Sequence, residues 1–328
     1  MPTRVLEFPG FVDLQVNGFA GVDFNDPACT DDDVDRACEA MRRTGVTRLL
    51  PTLITAPFDR FGRCAQRIAR HRHRAIAGVH LEGPYISPLD GYRGAHPREH
   101  VQAASIDDFS RRQEAAQGRI VLVTLAPEVP GTIALIEHLV HHDVRVAIGH
   151  TAASGEDIRA AIAAGATLST HLGNGCAQML PRHPNVIWEQ LAADALHASF
   201  IVDGHHLPPS TVKAMLRAKT IARSVLVTDA IAAAGRPPGV YKLGDLEVVL
   251  SADGRVSPPG AAHLAGSALS MDRAVANTVR FTGLSLDEVL PMATTTPARL
   301  IDIAPAGVVR AQWNSEQYEL RIVDVSGA

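Results

Sequence analysis

The sequence is poor in the features that mark membrane, nucleic-acid-binding and disulfide-rich proteins. Only four of its 328 residues are cysteines and no two of them form a C-x-x-C pair, so neither a disulfide framework nor a thiolate zinc site is indicated. The net charge of −4 gives no basic surface for nucleic acid or anionic lipid. No apolar run has the length of a membrane span, and the first residues lack the apolar core of a signal peptide. We therefore expect a cytoplasmic protein with neither nucleic-acid nor membrane partners.

What the sequence does contain is a regular alternation of short apolar runs and longer amphipathic segments. Eight of the apolar runs are typical of strands, and helical patterns separate them, which favours a (β/α)8 barrel of the TIM type. An open doubly wound sheet is the alternative, but no glycine-rich fingerprint follows the first strand. The predicted strands are Phe11–Asn17, Arg48–Ile54, Ala75–Glu82, Ile120–Leu125, Val144–His150, Thr167–His171, Ala198–Val202 and Ser224–Asp229.

Helical periodicity fills most of the intervals between these strands, and several of the segments begin at helix-capping residues. The last predicted helix contains two prolines, Pro291 and Pro297, which interrupt it. The predicted helices are Asp31–Arg43, Asp59–Arg70, Thr132–His142, Gly155–Ala164, Asn185–Ala195, Ser210–Ala218, Ser270–Phe281 and Leu286–Leu300.

Two regions fall outside the alternation. Residues 236–260 are rich in proline and glycine around the alternating run Leu246–Ser251, and the turn that follows it predicts a β-hairpin inserted over the barrel mouth. The chain ends predict strands of a reduced accessory β-sheet. We therefore expect a barrel over residues 9–300 and an accessory sheet from residues 1–8 and 305–328. Its predicted strands are Thr3–Phe8, Val308–Trp313 and Tyr318–Val325.

Polar and ionisable residues occur where the predicted strands end. In a barrel these carboxyl ends form the active mouth. Each residue alone also fits ordinary turn or core chemistry, but together they predict one convergent site. The residues at or just after the strand ends are Gln15, Asn17, Glu82, Glu128, His150, His171, Asp203 and Asp229.

Three of these residues, Glu82, His150 and His171, form a ligand set that suits Zn²⁺ or a similar divalent ion. Such a site keeps an open position for water, and the ion lowers the pKa of that water to about 7. Asp229 would accept the proton of the water and later deliver it to the leaving group. The two amides at the end of the first strand bond better to carboxylates than to metals. One ion is therefore predicted, most simply Zn, with Fe, Mn or Co also compatible.

The chain resembles the N-acetylglucosamine-6-phosphate deacetylase branch of the amidohydrolase superfamily. The matching motifs occur in order from residue 9 to about residue 300, and their joint order makes the resemblance specific. They are Pro9-Gly-Phe-Val-Asp-Leu-Gln-Val-Asn-Gly18, His80-Leu-Glu-Gly-Pro84, Gly94-Ala-His96, Gly149-His-Thr151, Thr170-His-Leu-Gly-Asn174, Asp203-Gly-His-His206, Val227-Thr-Asp-Ala230 and Leu264-Ala-Gly-Ser267 followed by Met271.

The resemblance implies a metal-dependent barrel hydrolase that releases acetate from an N-acetylated amino sugar and that forms a homodimer. By matching position it places Glu82, His150 and His171 on the metal and makes Asp229 the acid and base. His96 would polarise the amide carbonyl, and the two amides of the first strand match the one-metal members. Substrate contacts are implied for Asn174, Gly175, Arg182, His206, Leu264 and Ser267.

The departures from the family pattern concern substrate recognition. After the second metal histidine the family usually has an aromatic residue and then Asn-Ala-Met, whereas this chain has Gly173-Asn-Gly-Cys176. Arg182 matches an arginine that binds phosphate, often across the dimer interface, but Asn185 replaces the glycine that ends that segment. The chain also begins almost at the first barrel strand and has a short tail. The family's β-sandwich domain is therefore expected as a remnant.

The leading hypothesis is hydrolysis of N-acetylglucosamine 6-phosphate to glucosamine 6-phosphate and acetate. A related amidohydrolase that acts on a different N-acyl or cyclic amide is the alternative, because the loop Gly173–Cys176 differs from the family pattern. A non-catalytic binding protein on the same barrel fits less well, since all four core catalytic positions are retained.

Overall fold

The structure is a computed structural model that describes residues 4–261 and 263–327. In chain order the strands are β1 (Arg4–Pro9), β2 (Phe11–Val16), β3 (Gly18–Phe19), β4 (Val22–Asp23), β5 (Val46–Ile54), β6 (Val79–Glu82), β7 (Ile120–Leu125), β8 (Arg145–Ile148), β9 (Leu168–Ser169), β10 (His197–Phe200), β11 (Ser224–Leu226), β12 (Gly239–Leu243), β13 (Leu246–Leu250), β14 (Val256–Ser257), β15 (Val308–Asn314) and β16 (Glu319–Ser326). The α-helices are α1 (Asp31–Arg42), α2 (Phe58–His71), α3 (Ile106–Ala115), α4 (Thr132–His141), α5 (Gly155–Ala164), α6 (Val186–Ala192), α7 (Pro209–Lys219), α8 (Met271–Thr282), α9 (Leu286–Ala293) and α10 (Thr295–Leu300).

Eight parallel strands form the central sheet, in the order β2-β5-β6-β7-β8-β9-β10-β11. The sheet closes because the end of β2 meets the segment that follows β11. There Val16 forms a parallel bridge with Ala230, and the N–H of Asp229 donates to the carbonyl of Gln15 at 2.9 Å. The predicted (β/α)8 barrel is confirmed, and the open sheet is excluded.

The barrel strands are buried on both faces, as expected of a parallel sheet that helices surround. All six residues of β2 and all four of β6 are buried. The helices supply the cover through apolar faces of helical period: α1, for example, buries Val34, Ala37, Cys38 and Met41. Its start is fixed by Thr30, whose side chain accepts a hydrogen bond from the backbone of the third helical residue.

Several strands end earlier than predicted, and this difference bears on the site. β9 ends at Ser169 and β11 at Leu226, whereas the sequence predicted strands through His171 and Asp229. His171 and Asp229 leave the ladder with φ of 29° and 49°, in the left-handed region that residues other than glycine rarely adopt. The turn follows the last ladder residue, so the polar side chains project into the mouth.

The helices differ from the sequence prediction in two places. The predicted helix Leu286–Leu300 is two helices, α9 and α10, which meet at Thr294. Pro297 lies in the first turn of α10, where a missing backbone N–H is tolerated. Helix α3 was not predicted at all, because its inner face carries Phe109, Arg112 and Ala115 rather than an apolar stripe.

Three small antiparallel sheets lie outside the barrel in the described residues, and the smallest is the pair β3-β4. The insertion is a three-stranded sheet, β12-β13-β14, rather than a single hairpin. The chain ends form the sheet β1-β15-β16, which packs on the barrel where the Arg42 guanidinium donates to the Val325 carbonyl. Thr3, the first residue of the predicted terminal strand, lies outside the described residues. Among the helices of residues 4–261 and 263–327, none is both long enough and apolar enough to cross a membrane.

Asp13 lies at the closure between β2 and the residues after β11, and it is fully buried. Its Oδ2 accepts the Thr228 hydroxyl at 2.6 Å, and its Oδ1 accepts the backbone N–H groups of Thr228 and Gln15 at 3.2 and 3.3 Å. Burial outweighs these three bonds and raises the pKa of Asp13 to about 7. Folding therefore favours the protonated side chain.

This pKa predicts a specific pH dependence of stability. The unfolded chain releases the Asp13 proton near pH 4, while the folded protein holds it until about pH 7. The unfolded state thus binds fewer protons in this window, so the free energy of unfolding falls as pH rises, by at most about 1.4 kcal/mol per pH unit. Asp13→Asn keeps a neutral group of the same shape and removes this slope. Urea unfolding at pH 5, 6 and 7 should give a wild-type-minus-variant difference that decreases with pH; a constant difference would contradict the assignment.

Candidate active site

Glu82, His150 and His171 converge at the mouth of the barrel, where each follows or ends a different strand. Glu82 Oε1 lies 3.1 Å from His171 Nε2 and 3.4 Å from His150 Nε2, and the two Nε2 atoms are 3.1 Å apart. All three side chains are buried, and they form a group of ligand atoms within 4.8 Å of one another. The structure thus brings together the three residues that the sequence predicted as metal ligands.

The electrostatics of this cluster call for a positive charge. Burial opposes the ionisation of Glu82, but hydrogen bonds and charge interactions with His150 and His171 hold its pKa well below the ordinary value. Burial also lowers the pKa of His171, yet the hydrogen bond and the charge of Glu82 raise it overall. An ionised Glu82 therefore needs either protonated imidazoles or a cation beside it.

The orientation of His150 favours the cation. Its Nδ1 lies 3.0 Å from the carbonyl of Tyr92, and a carbonyl can only accept, so Nδ1 carries the hydrogen. In the neutral ring Nε2 then has a free lone pair that faces Glu82, which is the arrangement of metal-binding histidines. One carboxylate and two imidazoles match a three-ligand site for Zn²⁺ or a similar ion.

Asp229 lies on the other side of Glu82 and is linked to it by the amide of Gln15. Gln15 Nε2 donates to Glu82 Oε1 at 2.8 Å and to Asp229 Oδ1 at 3.2 Å. Asn17 Nδ2 donates to the same Asp229 oxygen at 2.7 Å. Burial and the charge of Glu82 raise the pKa of Asp229 to about 6, within the range in which a carboxyl group exchanges protons near neutral pH.

His96 faces the same cluster from the loop after β6. Its Nε2 lies 3.8 Å from Glu82 Oε2, and its ring centroid is 4.4 Å from that of His150. Burial, followed by the nearby His150, lowers the pKa of His96 to about 3. His96 is therefore a neutral imidazole, which can donate a hydrogen bond from one ring nitrogen only.

A cavity of about 790 Å³ opens above these residues, a volume typical of small-molecule sites. Four predicted substrate-contacting residues line it, namely Asn174, Gly175, His206 and Leu264. Asp203 Oδ2 accepts a hydrogen bond from His206 Nδ1 at 2.7 Å, so the other nitrogen of His206 is available to a ligand.

Ser267 and Arg182 lie elsewhere. Ser267 is buried, its hydroxyl donates to the Thr228 carbonyl, and its N–H donates to the Asp229 carbonyl at 3.0 Å. These two hydrogen bonds support the backbone around Asp229, and the contact of Ser267 with substrate stays a prediction. Arg182 is exposed and lies outside the cavity lining.

The replacement at Asn185 has a structural explanation. Its Oδ1 accepts the N–H groups of Ile187 and Trp188, at 3.1 and 3.2 Å, and so caps α6. Its Nδ2 donates to the Pro181 carbonyl at 3.0 Å. Asn185 therefore holds the loop that carries Arg182 against the start of a helix.

The strand ends alone could not identify every residue of the cavity wall. Arg255 comes from the inserted sheet, and its inward position depends on a strand register that the sequence did not reveal. The insertion is fastened to the barrel by a 3.1 Å contact between His205 Nε2 and the Asp253 carbonyl. Thr55, directly after β5, contacts His96. Its sequence position did not indicate this contact, because threonine is common at strand ends.

Two glycines of the surrounding loops press against the ring of His150. Gly94 and Gly175 have φ of +59° and +58°. A Cβ added to Gly94 would lie 3.0 Å from His150 Cε1, and one added to Gly175 would lie 2.8 Å from His150 Nδ1. Both distances are shorter than ordinary van der Waals contact. The two loops can therefore pack this closely on the imidazole only because both residues are glycine.

Comparisons with known proteins agree with this geometry. The amidohydrolase family model matches residues 7–314. The chain is 36% identical over 300 residues to N-acetylgalactosamine-6-phosphate deacetylase of Escherichia coli O157:H7, an alignment that covers 90% of this chain and 78% of that protein. It is 31% identical to N-acetylglucosamine-6-phosphate deacetylase of Vibrio furnissii, with 90% and 73% covered.

A solved structure matches the whole fold. It is that of a mutant N-acetyl-D-glucosamine-6-phosphate deacetylase from Mycobacterium smegmatis in complex with N-acetyl-D-glucosamine-6-phosphate. The TM-score is 0.88 at 32% sequence identity, and the match covers 97% of this chain and 85% of that one.

The packing of Gly175 on His150 predicts that Gly175→Ala weakens metal binding. The added methyl group must displace the imidazole or the loop, and changes around a metal-binding histidine typically cost about 10- to 100-fold in affinity. The dissociation constant for Zn²⁺ is measured by titrating metal-free protein in competition with a chelator.

Gly118→Ala is the matched control, because Gly118 also has a positive φ, of +75°, but no atom lies within 4 Å of its added Cβ. Both variants carry similar backbone strain, and only Gly175→Ala should lose affinity. Equal Zn²⁺ affinities in the two variants would show that the contact with His150 is unimportant.

Proposed function

We propose that this chain, which belongs to the amidohydrolase family, is a metal-dependent deacetylase of N-acetylated amino-sugar 6-phosphates. The observation that carries the proposal is the combination of Glu82, His150 and His171 with an adjacent buried carboxyl, Asp229, in one cavity. The relatives named above, at 31% and 36% identity over 90% of the chain, are deacetylases of this class by name.

Glu82 Oε1, His150 Nε2 and His171 Nε2 would hold the ion. When bound, a divalent ion supplies Lewis acidity, which lowers the pKa of a water ligand and withdraws charge from the acyl oxygen. We propose zinc as the ion because a nitrogen-rich set of three ligands with an open position is typical of catalytic zinc.

Asp229 moves the proton. Its Oδ1 accepts hydrogen bonds from the amides of Gln15 and Asn17. Oδ2 is therefore the oxygen that exchanges the proton with water and substrate. With a pKa of about 6, the carboxylate is ionised at neutral pH and accepts a proton from the attacking water. It then delivers this proton to the departing nitrogen, so that one amide bond and one water become acetate and a free amine.

The remaining residues bind and orient the substrate. His96 contacts the acyl oxygen beside Glu82, and His206 and Asn174 contact the sugar. We propose that Arg182 reaches the phosphate from the neighbouring protomer of a homodimer. The exposure of Met179 and Trp188 around its loop, 88% and 53%, supports such a contact, and a monomeric mass in light scattering would contradict it.

A second substrate has its own support. The Escherichia coli relative with 36% identity is named for N-acetylgalactosamine 6-phosphate and not for its gluco isomer. The two substrates differ only at one sugar carbon, and the altered loop Gly173–Cys176 lies in the cavity that would contact the sugar. The choice between these isomers therefore rests on the loop and not on the metal centre.

A substrate panel tests the proposed function. Protein of measured metal content is assayed for acetate release from N-acetylglucosamine, its 6-phosphate, N-acetylgalactosamine 6-phosphate and an N-acetyl amino acid. We expect kcat/KM to be highest for one of the 6-phosphates and at least about 100-fold lower without the phosphate, since the charge-assisted contact with Arg182 is lost. Turnover confined to the N-acetyl amino acid, or no turnover by fully metallated protein, would overturn the proposal.

Asp229→Asn tests the acid–base role. The variant retains the ligands and should bind metal with wild-type stoichiometry, but it cannot accept a proton, so kcat should fall at least about 100-fold. Metal analysis and steady-state kinetics measure the two effects. Asp324→Asn, on the exposed face of β16, is the control and should match the wild type. Turnover retained in Asp229→Asn would remove this residue from the mechanism.

A further inference from the structure

Thr55 is a buried hydroxyl that contacts a residue of the reaction. It follows β5 directly, is 1% exposed, and its Oγ1 lies 2.9 Å from His96 Nδ1. Among residues 4–261 and 263–327, His96 is the hydrogen-bonding partner of this hydroxyl that the structure shows. The contact joins the end of the second barrel strand to the loop after the third.

The chemistry of this contact determines which nitrogen of His96 carries the hydrogen. A buried hydroxyl hydrogen needs an acceptor, and Nδ1 of His96 can accept only when it has no hydrogen of its own. If Nδ1 carried the hydrogen, it would donate to Oγ1 and leave the hydroxyl hydrogen without an acceptor, which is unfavourable in a buried site. The satisfied arrangement is therefore a Thr55 hydroxyl that donates to Nδ1 and a hydrogen on Nε2.

Packing holds the hydroxyl in this position. Gly83 approaches Thr55 so closely that a Cβ on Gly83 would lie 2.2 Å from Oγ1. Gly83 follows the metal ligand Glu82 directly, so the segment that carries this ligand also confines the Thr55 side chain.

The position of His96 Nε2 allows its hydrogen to reach a substrate in the cavity. Nε2 lies 3.8 Å from Glu82 Oε2 and faces the cavity that also contains Asp229. An acyl oxygen that gains negative charge needs a hydrogen-bond donor aimed at it, and a neutral imidazole supplies one only from the nitrogen that carries the hydrogen. The opposite tautomer would direct a lone pair toward the substrate oxygen and repel it.

We propose that Thr55 is a positioning residue that fixes His96 in the tautomer with its hydrogen on Nε2, directed at the acyl oxygen. The catalytic meaning of this inference rests on the proposed function, whereas the tautomer itself does not.

Nitrogen-15 NMR of histidine-labelled protein tests the tautomer without any substrate. The His96 signals are identified by their loss in His96→Gln. In the wild type and in Thr55→Ser we expect Nδ1 to resonate as a nitrogen without hydrogen and Nε2 as a nitrogen that carries one. In Thr55→Val, which lacks the hydroxyl, the two tautomers should interconvert and the signals should shift toward each other. A hydrogen on Nδ1 in the wild type would overturn the proposal.

Kinetics on the same variants test the consequence. Thr55→Val should lower kcat by about 10- to 100-fold with unchanged metal content, while Thr55→Ser should stay within about threefold of the wild type. Thr278→Val is the matched control, because Thr278 is as buried as Thr55 and its hydroxyl donates to the Ala274 carbonyl within α8 at 2.7 Å, away from the site. A Thr55→Val enzyme as active as Thr278→Val would overturn the proposal.

The two arms also separate this inference from the proposed function. If wild-type protein releases no acetate from any substrate of the panel, the proposed function fails, and the wild-type nitrogen spectrum still decides whether His96 carries its hydrogen on Nε2. The wild-type spectrum also decides the question if Thr55→Val does not fold.

Discussion

Glu82 is a carboxylate buried at the end of an apolar strand, and the site is arranged around its charge. Burial of an unpaired charge is costly, so the negative charge must be met within a few ångströms. The Nε2 atoms of His150 and His171 lie 3.4 and 3.1 Å from this carboxylate, and a cation held by all three residues would balance the charge better than protons on the rings. The same requirement accounts for Gln15, because an amide that donates to Glu82 adds no further charge, whereas an acid there would add a second negative one.

The backbone accepts strain to build this arrangement. His150, His171 and Asp229 have φ of 51°, 29° and 49°, values that cost free energy for residues with a Cβ and that cluster at functional sites. The barrel around them compensates, because its closure is itself made at the site: the N–H of Asp229 donates to the Gln15 carbonyl, and Ser267 binds the Asp229 carbonyl. Asp229 is thus held by the same hydrogen bonds that join β2 to the segment after β11.

The sequence predicted those features that follow from strand polarity. Parallel strands place their carboxyl ends at one edge, so an acid and two histidines after three apolar runs had to meet, and Asp229 after the eighth run had to lie near them. The sequence could not predict features that depend on the direction of a side chain. Ser267 lies in the expected segment, but its hydroxyl turns to a backbone carbonyl. The sequence pattern did not predict helix α3, because the buried Arg112 interrupts the apolar periodicity of its inner face. Arg112 pairs there with Asp108 and lies over the ring of Phe61.

The loop Gly173–Cys176 is not independent of the cluster Glu82, His150 and His171. Gly175 belongs to the loop that would contact the sugar, and it also lies against the ring of His150. A larger residue there would change the shape of the sugar pocket and push on a metal ligand at once. Gly94 lies against the same ring from the loop that carries His96, so two loops of the cavity wall pack on one imidazole. A side chain in place of either glycine would therefore displace the His150 ring or the loop that carries the glycine. A loop that lies this close to the His150 ring can do so only where it carries no side chain, because a Cβ on Gly175 would come within 2.8 Å of Nδ1.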